Sequence, residues 1–137
     1  MNKRFKITDF AKCANYSPYD FGALHSYWQF PTVFITRKDL FGSVTSDAKI
    51  LYCWLRDRLQ ISIKNEKFLD ENGYFIVVSQ KEIASTFDVS ERTARNWMDS
   101  LKSIGLIRTE NQYLGKPAKI YIGNIEKLDE IIKGEKQ

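Results

Sequence analysis

Arg92, Thr93, Arg95 and Asn96 fall within a single short run, SERTARNW, that begins at Ser90. These side-chain types have the donors and acceptors that can read base edges. Arginine can bond guanine bidentately, asparagine can do so with adenine, and threonine can meet a thymine methyl or a phosphate. Three more cations follow at Arg108, Lys116 and Lys119, in and beside a loop that carries Gly115 and Pro117. Cations so placed can reach the phosphates flanking a groove, which positions a protein without reading sequence. Glu91 and Asp99 interrupt the basic face. Phosphate repels both unless they are paired or aimed at cytosine. A solvated amphipathic helix would carry similar residues, and lysines on a hairpin can simply protect a sheet edge. The surrounding elements must decide between these readings.

Those elements have an order. Ser79-Gln80-Lys81-Glu82 is a capping box, in which Ser79 accepts from the third amide and Glu82 reaches back. Ile83, Ala84 and Phe87 form the buried side of the short helix it starts. Asp88-Val89 makes a turn, with Val89 pointing inward, and Ser90 caps the next helix. Ala94, Trp97, Met98, Leu101 and Ile104 repeat at helical spacing, and Gly105 stands where a helix ends. Leu106 to Thr109 and Ala118 to Ile122 read as strands. Short helix, tight turn, longer helix and hairpin make a winged helix-turn-helix in an α+β fold. On this reading Ser90, Arg92, Thr93, Arg95 and Asn96 on the helix, with Arg108, Lys116 and Lys119 on the wing, contact double-stranded DNA.

The upstream half supplies the support. Phe30 to Leu40 alternates Val33 and Ile35 with Thr32, Phe34 and Thr36, which predicts a short strand, with Pro31 at its start. Ser46-Asp47 offers an N-cap and an acidic first turn for a helix from about Asp47 to Leu59. Ala48, Leu51, Tyr52, Leu55 and Leu59 form one apolar face, and Ile50, Cys53 and Trp54 form a stripe beside it. A helix this apolar is either central to the core or shared with a second copy. The second option assigns Ile50, Cys53 and Trp54 to a homodimer interface. Gln60 to Leu69 reads as a loop, Asp70 to Gly73 as a turn, Tyr74 to Val78 as a buried strand and Ile125 to Ile132 as a last helix, with Ile125, Leu128, Ile131 and Ile132 on one side. The expected organisation is an arm or tail over 1–28, a winged-helix domain over 29–125 and a C-terminal helix and tail over 126–137.

Composition narrows the functions further. With 137 residues and 43% hydrophobic residues, about one folded domain is expected. The net charge of +4 is spread thinly, at +2 over 1–29, +1 over 30–78, +2 over 79–124 and −1 over 125–137. Such a charge permits nucleic-acid binding without demanding it. Cys13 and Cys53 are 40 residues apart and His25 is the one histidine, so no zinc site, other metal or cofactor is expected. Leu114-Gly115-Lys116 is no phosphate loop, because Glu110 occupies the position of the first glycine. Asp57 and Asp70-Glu71 read as charged turns or as partners of Arg56 and Arg58 rather than catalytic carboxylates. No serine has a nucleophile-elbow context, so a binding protein is expected and not an enzyme. The start, MNKRFKITDF, lacks an apolar signal region and no stretch suits a membrane span, which predicts a soluble cytoplasmic chain.

Two stretches are more specific. SDAKILYCWLRDRLQISIKNEKFLDENGYFIVVSQKEI (46–83) and LKSIGLIRTENQYLGKPAKIYIGNI (101–125) together resemble the N-terminal domain of RepA_N-type replication initiators from plasmids of Gram-positive bacteria. The AKILYCWLRDR, ISIKN…DENG and LGKP…IY segments carry most of the resemblance, which spans about Tyr27 to Ile125. It implies a winged-helix domain that dimerises and binds repeated origin sites (iterons) to initiate plasmid replication. It also implies a separate C-terminal domain that contacts host replication proteins, so this chain would be an N-terminal part or a short relative. Arg92, Thr93, Arg95, Asn96, Lys116 and Lys119 take the family's reading positions. At the wing, Gln112-Tyr113-Leu114 stands where Gln-Gly-Leu is common. A transcriptional repressor with the same fold, and a module that binds replisome proteins, are the alternatives.

Overall fold

A 19-residue helix, Ser46–Lys64, contributes more residues to the buried core than any other element described. The computed structural model describes residues 17–18, 26–65 and 68–135, apart from the side chains of Asp129 and Glu135. Most of the expected N-terminal arm, including Cys13 and His25, lies outside the described residues. The elements run α1 (Val33–Thr36), α2 (Lys38–Phe41), α3 (Ser46–Lys64), β1 (Leu69–Asp70), β2 (Gly73–Tyr74), β3 (Ile76–Val77), α4 (Gln80–Phe87), α5 (Glu91–Ser103), β4 (Ile107–Glu110), β5 (Lys119–Ile122) and α6 (Ile125–Glu135).

Ala48, Leu51, Tyr52 and Leu55 of one apolar stripe of α3 and Cys53 and Trp54 of the other are buried, because the helix is covered on two sides, while Ile50 is exposed. Tyr52 meets Phe34, which also stacks edge-on against Phe41. Trp54 meets Phe87, and Phe87 meets Trp97. The cap is Thr45 rather than Ser46: the Thr45 hydroxyl accepts from the Ala48 amide at 3.3 Å. The helix also runs past Leu59 to Lys64, through residues expected to form a loop. Each added residue there gains a backbone bond for little further ordering, although Ile61 and Ile63 stay exposed and leave no periodic mark.

The strand expected over Phe30 to Leu40 is instead the helical pair α1 and α2. Alternation had put Phe34 on the polar side, yet Phe34 is buried and Ile35 is exposed. Burying a phenyl ring among Phe41 and Tyr52 outweighs a few residues of β propensity. The single strand expected over Tyr74 to Val78 is also divided. Gly73–Tyr74 pairs with β1, Ile76–Val77 pairs with β5, and between them the Phe75 amide donates to the Phe68 carbonyl.

The helix-turn-helix forms as its caps require. The Ser79 hydroxyl accepts from the Glu82 amide at 3.0 Å, while the Glu82 carboxylate pairs with Arg58 of α3 instead of turning back. Asp88 takes a left-handed conformation (φ 54°), which ends α4, and Val89 is half-buried. The Ser90 hydroxyl accepts from the Thr93 amide at 3.1 Å. Gly105 (φ +79°) closes α5 in a Schellman motif: its amide donates to the Lys102 carbonyl and that of Leu106 to the Leu101 carbonyl.

The three-stranded antiparallel sheet has the order β3-β5-β4. Ile76, Ile107 and Ile120 face the core, with Ile107 paired to Ile122 and Thr109 to Ile120. The period of two turns Arg108, Lys119 and Tyr121 to the other face. Gly123 ties this sheet to α3. Its amide donates to the Leu106 carbonyl at 2.7 Å, and its carbonyl accepts from the Tyr52 hydroxyl at 2.6 Å. A β-carbon at Gly123 would lie 2.7 Å from the Leu106 oxygen, so only glycine fits. Burial raises the Tyr52 hydroxyl to a pKa of about 12. In α6, Ile125 and Ile132 are buried and Leu128 half-buried, but Ile131, expected on the same side, is exposed.

The small β1–β2 hairpin delivers Asp70 to the outer sheet face. The carboxylate accepts from the Tyr121 hydroxyl at 2.6 Å and from the Lys119 ammonium at 2.9 Å. The Tyr121 hydrogen bond, then that of Lys119, lowers Asp70 from 3.8 to about 2. The folded state therefore favours ionised Asp70, and this contribution is complete above the ordinary carboxylate value. It should be lost as pH falls from about 4 towards about 2. Amide exchange of Asp70 to Tyr74 should accelerate over that window, and Asp70→Asn should abolish the pH step. Protection that stays flat down to pH 2 would mean that the hairpin does not rely on this carboxylate.

Candidate nucleic-acid interface

The helix α5 is held by its caps and by the inward side chains Ala94, Met98 and Leu101. Its outward face is set by that burial. Arg92, Asn96 and Asp99 recur at i, i+4 and i+7 and are exposed. Arg95 and Lys102 lie on the flank nearer the start of α4 and the wing. The Arg95 Nε donates to the Gln80 Oε1 at 3.3 Å, which gives the guanidinium a fixed side to lean on. Asp99 is paired with Lys102 at 3.4 Å, so the negative charge on this face is locally answered. Glu91 stays exposed in the first turn, where the helix dipole favours it. Ser90 and Thr93 direct polar atoms at each other: the Ser90 hydroxyl also donates to the Thr93 hydroxyl at 3.0 Å. Ser90 thus caps the helix and Thr93 completes the cap as its partner.

Between α5 and the β4–β5 wing runs a cleft of about 360 Å³, lined by Gln80, Lys81, Glu91, Lys102, Asn111 and Pro117 among others. Sequence reasoning passed over Gln80, Lys81, Lys102 and Asn111. Only Lys102 had a legible signal, lying seven residues after Arg95 on one helix.

The wing cations part company. Lys116 is exposed at the tip, with its ammonium 5.8 Å from the Tyr113 ring centroid. Lys119 is tied to Asp70 and lies over Phe75 at 4.8 Å, so it is no free phosphate ligand in this arrangement. Asp70 and Tyr121 together raise its pKa, with the Asp70 hydrogen bond the larger cause. Arg108 stacks on Tyr121 at 4.4 Å, on the sheet face turned away from α5. The eight residues read from the sequence therefore do not converge. Arg92, Arg95 and Asn96 share one surface, Lys116 stands beside it, and Arg108 and Lys119 lie behind.

The proposed dimer stripe is also divided. Cys53 and Trp54 are 4% and 6% exposed, packed within this chain, and only Ile50, at 41%, is open. Burial raises the Cys53 thiol above its ordinary pKa, as expected for a core cysteine. Arg56 and Arg58 pair with Glu126 and Glu82 rather than with Asp57 or Asp70-Glu71. Among the described residues no group of three His, Cys, Asp or Glu side chains could hold a metal ion, and no helix is long and apolar enough to cross a membrane.

No curated protein matches the chain. Among solved structures it is similar to a Rep–DNA complex, at 27% identity over 85% of this chain and 94% of the other, with a TM-score of 0.65. It is also similar to the N-terminal domain of a DNA-binding protein, at 26% identity over 95% of each chain and a TM-score of 0.63. An MDR initiator, at 22% identity, shares the fold over 85% of this chain and 98% of the other, with a TM-score of 0.63. The model of the replication initiator protein A (RepA) N-terminus matches residues 26–133, from just before α1 to near the end of α6. The chain belongs to the family of the RepA replication initiator N-terminus.

Proposed function

We propose that this chain binds duplex DNA sequence-specifically at repeated origin sites in the bacterial cytoplasm and so initiates plasmid replication. The mechanism is binding, with no catalytic step. The observation that carries this reading is the exposed Arg92, Arg95 and Asn96 surface on a doubly capped helix whose opposite face is anchored in the core. In the major groove, Arg92 and Arg95 suit guanine and Asn96 suits adenine. Family membership and the likeness to a Rep–DNA complex support the same reading. A homodimer would engage two half-sites about one helical turn, or a multiple of it, apart. The burial of Cys53 and Trp54 leaves Ile50 as the member of the expected stripe available to a partner copy.

Selection of binding sites from random duplexes, followed by salt titration of the winner, tests the proposal. A single enriched motif that recurs in a plasmid origin is the expected result. Enrichment of promoter sites would point instead to a repressor, and no duplex binding even at low salt would refute the reading. Within the same assay, Lys116→Ala should weaken all duplexes alike and reduce the salt slope by about one. An unchanged slope would take Lys116 out of the interface.

A further inference from the structure

The tip of the wing is apolar and fully open. Leu114 is 105% exposed and Tyr113 82%, more than any other large apolar side chain among the described residues. The loop around them is well formed. The Lys116 amide donates to the Tyr113 carbonyl at 3.0 Å, and Gly115 supplies the positive φ (+84°) that this four-residue turn needs. The Gln112 Nε2 donates to the Pro117 carbonyl at 2.8 Å and closes the neck of the loop. Leu114 is therefore held at the apex of a braced turn. Tips of this kind ordinarily carry Gly, Asn, Asp or Ser, which water accepts. A leucine and a tyrosine there gain only when something covers them.

The position of the tip says what covers it. The neck residues Asn111 and Pro117 line the same cleft as Glu91 and Lys102 of α5, so the tip stands beside the face read into the major groove. A hairpin flanking a helix in that groove meets the adjacent backbone and the minor groove. Lys116, stacked beside Tyr113, supplies a cation at the phosphate boundary. Apolar side chains that enter a minor groove unstack a base step and kink the duplex. We propose that Leu114, backed by Tyr113, is such a wedge and opens one base step next to the sequence read by α5. Pyrimidine–purine steps, TA and CA/TG, open most readily, so they are the preferred occupants of that position. This wedge rests on the duplex-binding reading above, and it adds a determinant of specificity that makes no hydrogen bond to a base.

The test uses the selected duplex with 2-aminopurine at each candidate step and end-labels for bending by energy transfer. Leu114→Ser and Tyr113→Ala change exposed side chains, so both variants should fold, which circular dichroism checks. Wild-type protein should raise the fluorescence at one step and shorten the end-to-end distance. Leu114→Ser should protect the same site with the same salt slope while both signals return towards those of free DNA, and its affinity should fall by about tenfold as the kinked contacts are lost. Replacing the TA or CA step with a stiffer one should weaken the wild type and leave Leu114→Ser unchanged. Wild-type protein that binds the duplex but leaves it stacked and straight overturns the wedge alone. Wild-type protein that binds no duplex at all overturns the binding reading with it.

Discussion

Leu101→Ala should lower the unfolding free energy by about 2–5 kcal/mol. Leu101 is fully buried on the inner face of α5, beside Ala94 and Met98. Its carbonyl also accepts from the Leu106 amide at 3.1 Å, which fixes where the helix ends and the wing begins. Removing the side chain forfeits its transfer energy and leaves a cavity that α3, α4 and β4 cannot close without moving α5. Domains of this size hold about 5–15 kcal/mol in all, so the loss should shift the urea midpoint strongly. Leu101→Met keeps the volume and should cost under about 1.5 kcal/mol. A loss below about 1 kcal/mol for the alanine variant would mean that this face of α5 is not embedded as described. The wing should respond too, because it is joined to the same helix end.

Arg95→Ala is expected to cost about 1–3 kcal/mol on the selected site, roughly 5- to 150-fold in affinity, with relaxed preference at one position. The reason is geometric. Arg95 is exposed on α5, and its Nε is taken by Gln80, leaving the terminal nitrogens to form the fork that matches guanine O6 and N7. Gln80→Ala should reproduce a smaller part of the loss, since it frees the guanidinium without removing it. Arg95→Lys should not rescue binding, because an ammonium lacks the planar fork. The check is paired titration on the selected duplex and on a scrambled one. If both duplexes lose affinity equally, Arg95 is a phosphate contact and the base reading passes to Arg92 and Asn96.

Local chemistry explains which parts of this molecule were legible in advance. The caps at Ser79 and Ser90, the glycine that ends α5, and the two strands of the wing all depend on residues within a few positions of one another. Each could be read from spacing. The outward face of α5 was legible for the same reason, because Ala94, Met98 and Leu101 fix its inward direction. Phe30 to Leu40 was not, since its fold depends on Phe34 finding Phe41 and the distant Tyr52. The break at Phe75 was hidden likewise, because two different strands claim its neighbours.

By itself the sequence determined the winged helix-turn-helix order and the outward placing of Arg92, Arg95 and Asn96 on one helix face, since both follow from short-range periodicity and capping. Only the tertiary structure decided the fates of side chains that meet partners far along the chain. It gave Lys119 to Asp70, 49 positions away, and Arg108 to Tyr121, so neither stands free beside the exposed face of α5. It also closed Trp54 and Cys53 inside the chain, because packing against Phe87 and its neighbours covers a stripe that helical spacing alone left open to a second copy.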